Sequence, residues 1–322
     1  MKKFIFSFLR FSISFIIIYF LLRKIDVREL SLRITNLSYS FLFLAFICQL
    51  SVAFIGAYRW QTLLQGRGIK VSFGKLLEFG FIGQFFNSFL PGSSGGDFVK
   101  MYKVVTHSKD KVYAGISVLA EKVIGFYSIS IFVIIAGVFS FGLLPERLLW
   151  TIFLIIIFAF LGLFVFIYFK TCIIKFLGAS GNQENILAKI KQYVVTFYEA
   201  LHFFITHREI LLKIIVISLL MQFLSIISCY FIARSVGLCI NVFYFFIFIP
   251  IVFLITVIPI SLSGIGVREG VFVYLFGKVN VPSDQAVLIS FLFFTLIIVF
   301  SLIGGVVHFW SNVKSYFNKR LT

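Results

Sequence analysis

Residues 285–313 read QAVLISFLFFTLIIVFSLIGGVVHFWSNV, with no Asp, Glu, Lys or Arg among them. A helix needs about 20 apolar residues to cross ~30 Å of hydrocarbon, and this stretch is longer. It is continuous rather than alternating, so it reads as a spanning helix and not as a barrel strand. The same reading extends outward along the chain. No charge occurs from Asn36 to Tyr58, Val123 to Pro145, Leu148 to Phe169, Ile214 to Ala233 or Ser235 to Val267. Phe4–Leu22 is a further apolar run, interrupted by Arg10 alone. Its basic start resembles a signal peptide. However, Leu21-Leu22-Arg23-Lys24 is bulky and basic where a cleavage site would have small residues, so a retained first helix is expected.

Composition agrees. The chain is 61% apolar and 13% charged, with a mean hydropathy of +1.08; a soluble domain carries roughly 25% charged residues. The formal net charge is +17, which by itself would fit nucleic acid. The Lys and Arg lie in the short segments between apolar runs, where topology and anionic headgroups account for them, so no nucleic-acid partner is expected. Cys48, Cys172, Cys229 and Cys239 have no metal or redox spacing, and the four His are scattered. No zinc site, cofactor site or nucleophile–base arrangement is expected.

Charge placement orients the spans. Lys2 and Lys3, the basic segment 170–213 and the tail with Lys314, Lys319 and Arg320 are expected on the cytoplasmic side of the inner (plasma) membrane. The short connection Pro145-Glu146-Arg147 is expected outside. These assignments require about six full spans. Two apolar stretches, Phe79–Pro91 and 241–277, must then enter and leave on one face each. The expectation is an all-α polytopic membrane protein whose two broken, re-entrant elements enter from opposite faces, the pattern of inverted-repeat transporters. Residues 1–322 form one membrane domain on this reading, with pseudo-repeat halves at about 1–170 and 211–322. A basic amphipathic segment over 171–210, with Ile186, Ile190, Val194 and Phe197 at helical spacing, joins them.

The two breaks are alike in sequence. The first is Phe89-Leu90-Pro91-Gly92-Ser93-Ser94-Gly95-Gly96-Asp97, and the second runs from Pro259 through Gly264 and Gly266 to Arg268-Glu269-Gly270. Pro91 lacks a backbone donor and disfavours helix before it. Gly92, Gly95 and Gly96 allow positive φ and close approach of a ligand to the backbone. Ser93 and Ser94 can cap a helix starting near Asp97, and free amides at such a start suit a phosphate. Gln84 and Asn87 add polar groups to the apolar approach. In the second break Arg268 suits phosphate oxygens, with Glu269 beside it; the alternative is that this pair sits at the membrane interface and caps a helix over 267–277. Glu121-Lys122 interrupts the apolar stretch Val112–Leu144. A charge at depth faces a cavity or a partner; alternatively the pair marks the end of a span, with 112–120 as a surface helix. Asp97 is spaced to pair with Lys100 one turn on, and Glu78 reads as interfacial.

The stretch from Gly83 to Lys100, GQFFNSFLPGSSGGDFVK, resembles the signature of the flippase-like membrane domain of lysylphosphatidylglycerol synthases. Pro259–Glu269 resembles that family's second signature, and Leu119-Ala120-Glu121-Lys122 its short middle motif, with Lys122 where the family usually has Arg. The resemblance covers nearly the whole chain. It implies a translocator that moves an anionic, aminoacylated or isoprenoid-linked (glyco)lipid between leaflets, with enzymes of envelope biosynthesis as candidate partners. In the full synthases a separate soluble domain performs aminoacyl transfer. The sequence runs to Thr322, just past its last span, so that activity is not expected here.

The residues expected to meet substrate are Gln84, Asn87, Pro91, Gly92, Ser94, Gly95, Gly96, Asp97, Glu121, Gly264, Gly266, Arg268 and Glu269. No Gly-x-x-x-x-Gly-Lys-Ser/Thr loop occurs, so any driving energy would come from a gradient or from consumption of the product. The competing readings are a membrane transferase of lipid or envelope glycan biosynthesis, using Asp97, Glu121 or Glu269 as acid or base, and a non-catalytic partner of such an enzyme.

Overall fold

The computed structural model describes residues 35–89, 95–140, 142–168, 206–257 and 264–321, with isolated positions between 195 and 203. The expected first span at 4–22, with Arg10, and most of the basic segment 171–210 lie outside the described residues, as do Pro91, Gly92, Ser93 and Ser94. All elements among the described residues are helical: α1 (Tyr39–Gln65), α2 (Phe73–Phe89), α3 (Gly95–Thr106), α4 (Lys111–Phe139), α5 (Glu146–Tyr168), α6 (Arg208–Ser235), α7 (Val242–Val257), α8 (Val267–Gly277) and α9 (Ser283–Leu321). α1, α4, α6 and α9 are long and apolar enough to cross a membrane.

Lengths separate the helices into two kinds. At 1.5 Å per residue, the 27 residues of α1 and the 29 of α4 exceed the hydrocarbon thickness. The 17 of α2 and 12 of α3 fall short of it, as do the 16 of α7 and 11 of α8. The order long, short, short, long therefore occurs twice: α1 to α4, and α6 to α9. The packing follows the same order. α1 packs on α6; the hairpin helix α2 packs on α9, and its counterpart α7 packs on α4; α3 lies against α4 as α8 lies against α9.

Local chemistry sets the boundaries. Asp110 caps α4 by accepting from the Tyr113 amide at 3.0 Å, the usual role of an acid at that position. α4 then runs unbroken through Glu121, so 112–120 is not a separate surface helix: Ala114, Ile116 and Val118 are buried. Gly264 and Gly266 take φ of +78° and +87°, a region that L side chains rarely enter, and α8 starts immediately afterwards. Pro250 inside α7 removes one amide from its ladder.

Small residues let the long helices approach closely, as expected where apolar burial alone does not drive association. Ser228 on α6 donates to the Ala45 carbonyl of α1 at 3.0 Å. A Cβ on Gly304 of α9 would lie 2.0 Å from the Phe81 carbonyl oxygen of α2, and one on Gly96 of α3 would lie 1.8 Å from that of Gly83. Gly96 was expected to bring a ligand to the backbone. It is instead buried against α2, so its missing side chain serves the helix crossing.

Candidate functional site: a cationic cluster beside an apolar cavity

A cavity of about 230 Å³ lies between α1, α2, α6 and α9, with one residue each from α3 and α4. Its walls are mostly apolar, with Val52, Ala53, Leu76, Leu77, Ile297 and Phe300 among them. Four polar side chains also line it: Gln49, Gln84, Lys100 and Glu121. Gln49 Nε2 is buried without a hydrogen-bond partner among the described residues, and buried donors are rarely left so.

Charge is concentrated at one end. Glu121 on α4 is 8% exposed and receives two cations from two other helices. Arg59 of α1, equally buried, donates through Nη2 to Glu121 Oε1 at 3.2 Å and through Nη1 to Ser218 Oγ of α6 at 3.0 Å. Lys100 of α3 pairs with Glu121 Oε2. Its ammonium also lies 4.1 Å from the centre of the Trp60 ring, an attraction to the ring face. Trp60 is in turn fixed by Nε1 donating to Ser117 Oγ at 2.9 Å. A neighbouring pair, Lys122 with Asp97 Oδ2 at 2.6 Å, is more exposed.

The pairing differs from the one-turn Asp97–Lys100 pair that spacing suggests. A buried carboxylate without a counter-charge is far costlier than a half-exposed one. Glu121 therefore takes Lys100, and Asp97 takes Lys122. Glu78 pairs with the exposed Lys75 at 3.1 Å.

The other sequence-singled residues fall into three places. Gln84 joins Glu121 at the cavity. Asn87 ties the end of α2 to the start of α3: its Oδ1 accepts from the Gly96 amide at 2.8 Å and its Nδ2 donates to Asp97 Oδ1 at 3.3 Å. Gly95 is the first residue of α3. Arg268 and Glu269 form a separate buried network and do not line the cavity. Glu269 Oε2 accepts from the Gly266 amide at 2.6 Å, capping α8, while its Oε1 binds Arg268 and accepts from Ser290 Oγ at 3.0 Å. The Arg268 guanidinium carbon lies 4.5 Å from the centre of the Phe294 ring. Glu269 thus caps α8, and the pair is buried rather than placed at the helix surface.

Sequence reading did not single out Arg59, Trp60, Gln49 or Ser218. Arg59 does carry a signal. Trp60, Leu63 and Leu64 follow it and are fully or nearly fully buried, so the charge sits inside an apolar helix and not at its end.

Fold and site together define a multi-pass α-helical membrane protein in which ionised side chains are buried beside an apolar-walled cavity. The relatives it matches are membrane proteins too. The chain belongs to the family described as Lysylphosphatidylglycerol synthase TM region, whose profile matches residues 7–305. The resemblance read from Gly83–Lys100 and Pro259–Glu269 is thereby borne out. Among curated proteins the chain is 26% identical over 275 residues to the UPF0104 membrane protein PH1989 of Pyrococcus horikoshii, covering 78% of this chain and 81% of the relative. It is 27% identical over 299 residues to the UPF0104 membrane protein MJ1595 of Methanocaldococcus jannaschii, covering 87% of each.

Proposed function

We propose that this chain is a flippase-like transporter that moves an anionic, aminoacylated or isoprenoid-linked (glyco)lipid between the leaflets of the inner membrane. One observation carries the reading: a cavity with apolar walls has a buried, net-cationic cluster at one end. Buried charge within a membrane protein is costly and is kept where it faces a pathway or a substrate. Apolar walls suit a lipid chain and the cations suit its phosphate. The two short hairpins, α2–α3 and α7–α8, support the same reading, because half-length helices are how transporters place sites near the midplane. Both termini and 170–213 are cytoplasmic on this proposal, with 145–147 outside. The chain performs no group transfer itself; enzymes of envelope biosynthesis supply or consume the lipid.

The test is reconstitution into vesicles carrying a tail-labelled fluorescent phosphatidylglycerol, with an impermeant quencher added outside. Protein-containing vesicles should lose the inner-leaflet signal faster than empty ones, and Lys100→Gln should slow the loss at least tenfold. Rates equal to those of empty vesicles, or a Lys100→Gln variant at the parent rate, would overturn the proposal.

A further inference from the structure

Building on the lipid-transport reading of the cavity, we infer that Glu121 sets the charge the site accepts, admitting a lipid head with one negative charge and rejecting one with two. Five ionised groups meet there: Arg59, Lys100 and Lys122 against Glu121 and Asp97. Lys122 and Asp97 neutralise one another, which leaves the inner triad with one positive charge in excess. Arg59 is engaged by Ser218 and Glu121 and does not line the cavity. Lys100 does line it, held in place by the Trp60 ring, with the Glu121 carboxylate at its side.

An arriving phosphate therefore meets Lys100 next to a carboxylate. A single negative charge brings the triad to neutrality. A second would lie beside Glu121 with no cation left to face it, and like charges a few ångströms apart in a poorly solvated site repel strongly. Glu121 thus acts as a resident anion that holds two cations together and caps the charge of what joins them. The apolar walls require that the anion belong to a lipid: Val52, Leu77 and Ile297 have nothing to offer a free headgroup.

The experiment measures binding, so its failure is distinct from a failure of transport. A fluorescent phosphatidylglycerol bound to the detergent-purified full chain is displaced by unlabelled phosphatidylglycerol or phosphatidate at pH 8. At that pH the phosphomonoester is ionised beyond its first proton and carries more than one negative charge, whereas the phosphodiester carries one. The parent should release the probe at a concentration of phosphatidylglycerol at least tenfold below that of phosphatidate. Glu121→Gln raises the excess to two charges and should shift the ratio at least tenfold towards phosphatidate. Glu121→Gln with Arg59→Gln restores one excess charge and should restore the parent order. If Glu121→Gln alone does not fold, Arg59→Gln carries the test: it leaves no excess, and phosphatidylglycerol should bind about tenfold more weakly. No preference in the parent, or the same ratio in the parent and Glu121→Gln, overturns the inference. Equal displacement by deacylated glycerophosphoglycerol overturns its assignment to a lipid. A preserved charge preference without any leaflet exchange would sink the transport proposal alone.

Discussion

Gly96→Ala should destabilise the protein by roughly 2–4 kcal/mol, although alanine is the better helix former. The added Cβ would sit 1.8 Å from the Gly83 carbonyl oxygen and 2.7 Å from the Asn87 amide nitrogen, both backbone atoms. No side-chain rotation relieves that contact, so α2 and α3 must move apart by more than about 1 Å; overpacking of this kind costs about 1–3 kcal/mol and occasionally more. The same movement stretches the two bonds made by Asn87 to Gly96 and Asp97, at about 1 kcal/mol each. The gain in helix propensity offsets about 0.5–1 kcal/mol of this. Gly125→Ala is the internal control, because a Cβ there meets nothing within 4 Å, and it should raise stability by several tenths of a kcal/mol. Thermal unfolding in detergent, followed by a thiol-reactive dye, reads both: Gly96→Ala should melt several degrees below the parent and Gly125→Ala at or above it. If the two melt together, the close crossing of α2 and α3 is wrong, and the earlier reading of Gly96 as a ligand contact becomes the better one.

Trp60→Phe removes the donor to Ser117 and weakens the hold on Lys100; about 1–2 kcal/mol of stability should be lost by denaturant titration. Glu121→Ala leaves the buried Arg59 and the partly buried Lys100 without their common partner and should cost about 3–5 kcal/mol in the same titration, whereas Lys75→Ala on the exposed Lys75–Glu78 pair should cost under about 1 kcal/mol. In a cysteine-free background, single cysteines at Lys189 and Glu146 should differ in labelling by an impermeant reagent on intact cells, with Glu146 labelled and Lys189 protected; equal labelling would sink the proposed orientation. Purified protein supplied with lysyl-tRNA and phosphatidylglycerol should form no lysylated lipid by thin-layer chromatography, and robust turnover would refute the proposal that the chain transfers no group.

What could be read from the chain alone follows from the range of the interaction. Uncharged runs identify spanning helices because the bilayer acts on each helix separately, and α1, α4, α6 and α9 coincide with such runs. The second break was legible for a similar local reason: Gly264 and Gly266 can take the positive φ found there without the strain a side chain would add. The ion cluster was only half legible. Glu121 stood out as a charge in an apolar stretch, but its partners lie 62 and 21 positions away along the chain, and nothing local selects them. Spacing favoured Asp97 for Lys100, yet the choice is made by burial, which is known only once α1, α3 and α4 converge. Gly96 failed in the same manner, since one glycine can admit a ligand or a neighbouring helix.

Asp97 and Glu269 carry this argument one step further. Each is the third residue of the second helix of a hairpin, α3 or α8, and each pairs with a cation while its hairpin packs against a long helix. Their settings nonetheless differ. Glu269 and Arg268 are buried, closed on themselves and bound to Ser290, so this pair locks α8 onto α9. Asp97 reaches a Lys122 that is half exposed, directly beside the triad that faces the cavity. Equivalent positions in the two hairpins have thus become unequal in what it takes to open them. Separating Arg268 from Glu269 would strand two charges in a core, whereas the Asp97–Lys122 pair can part into a wetter surrounding at much smaller cost.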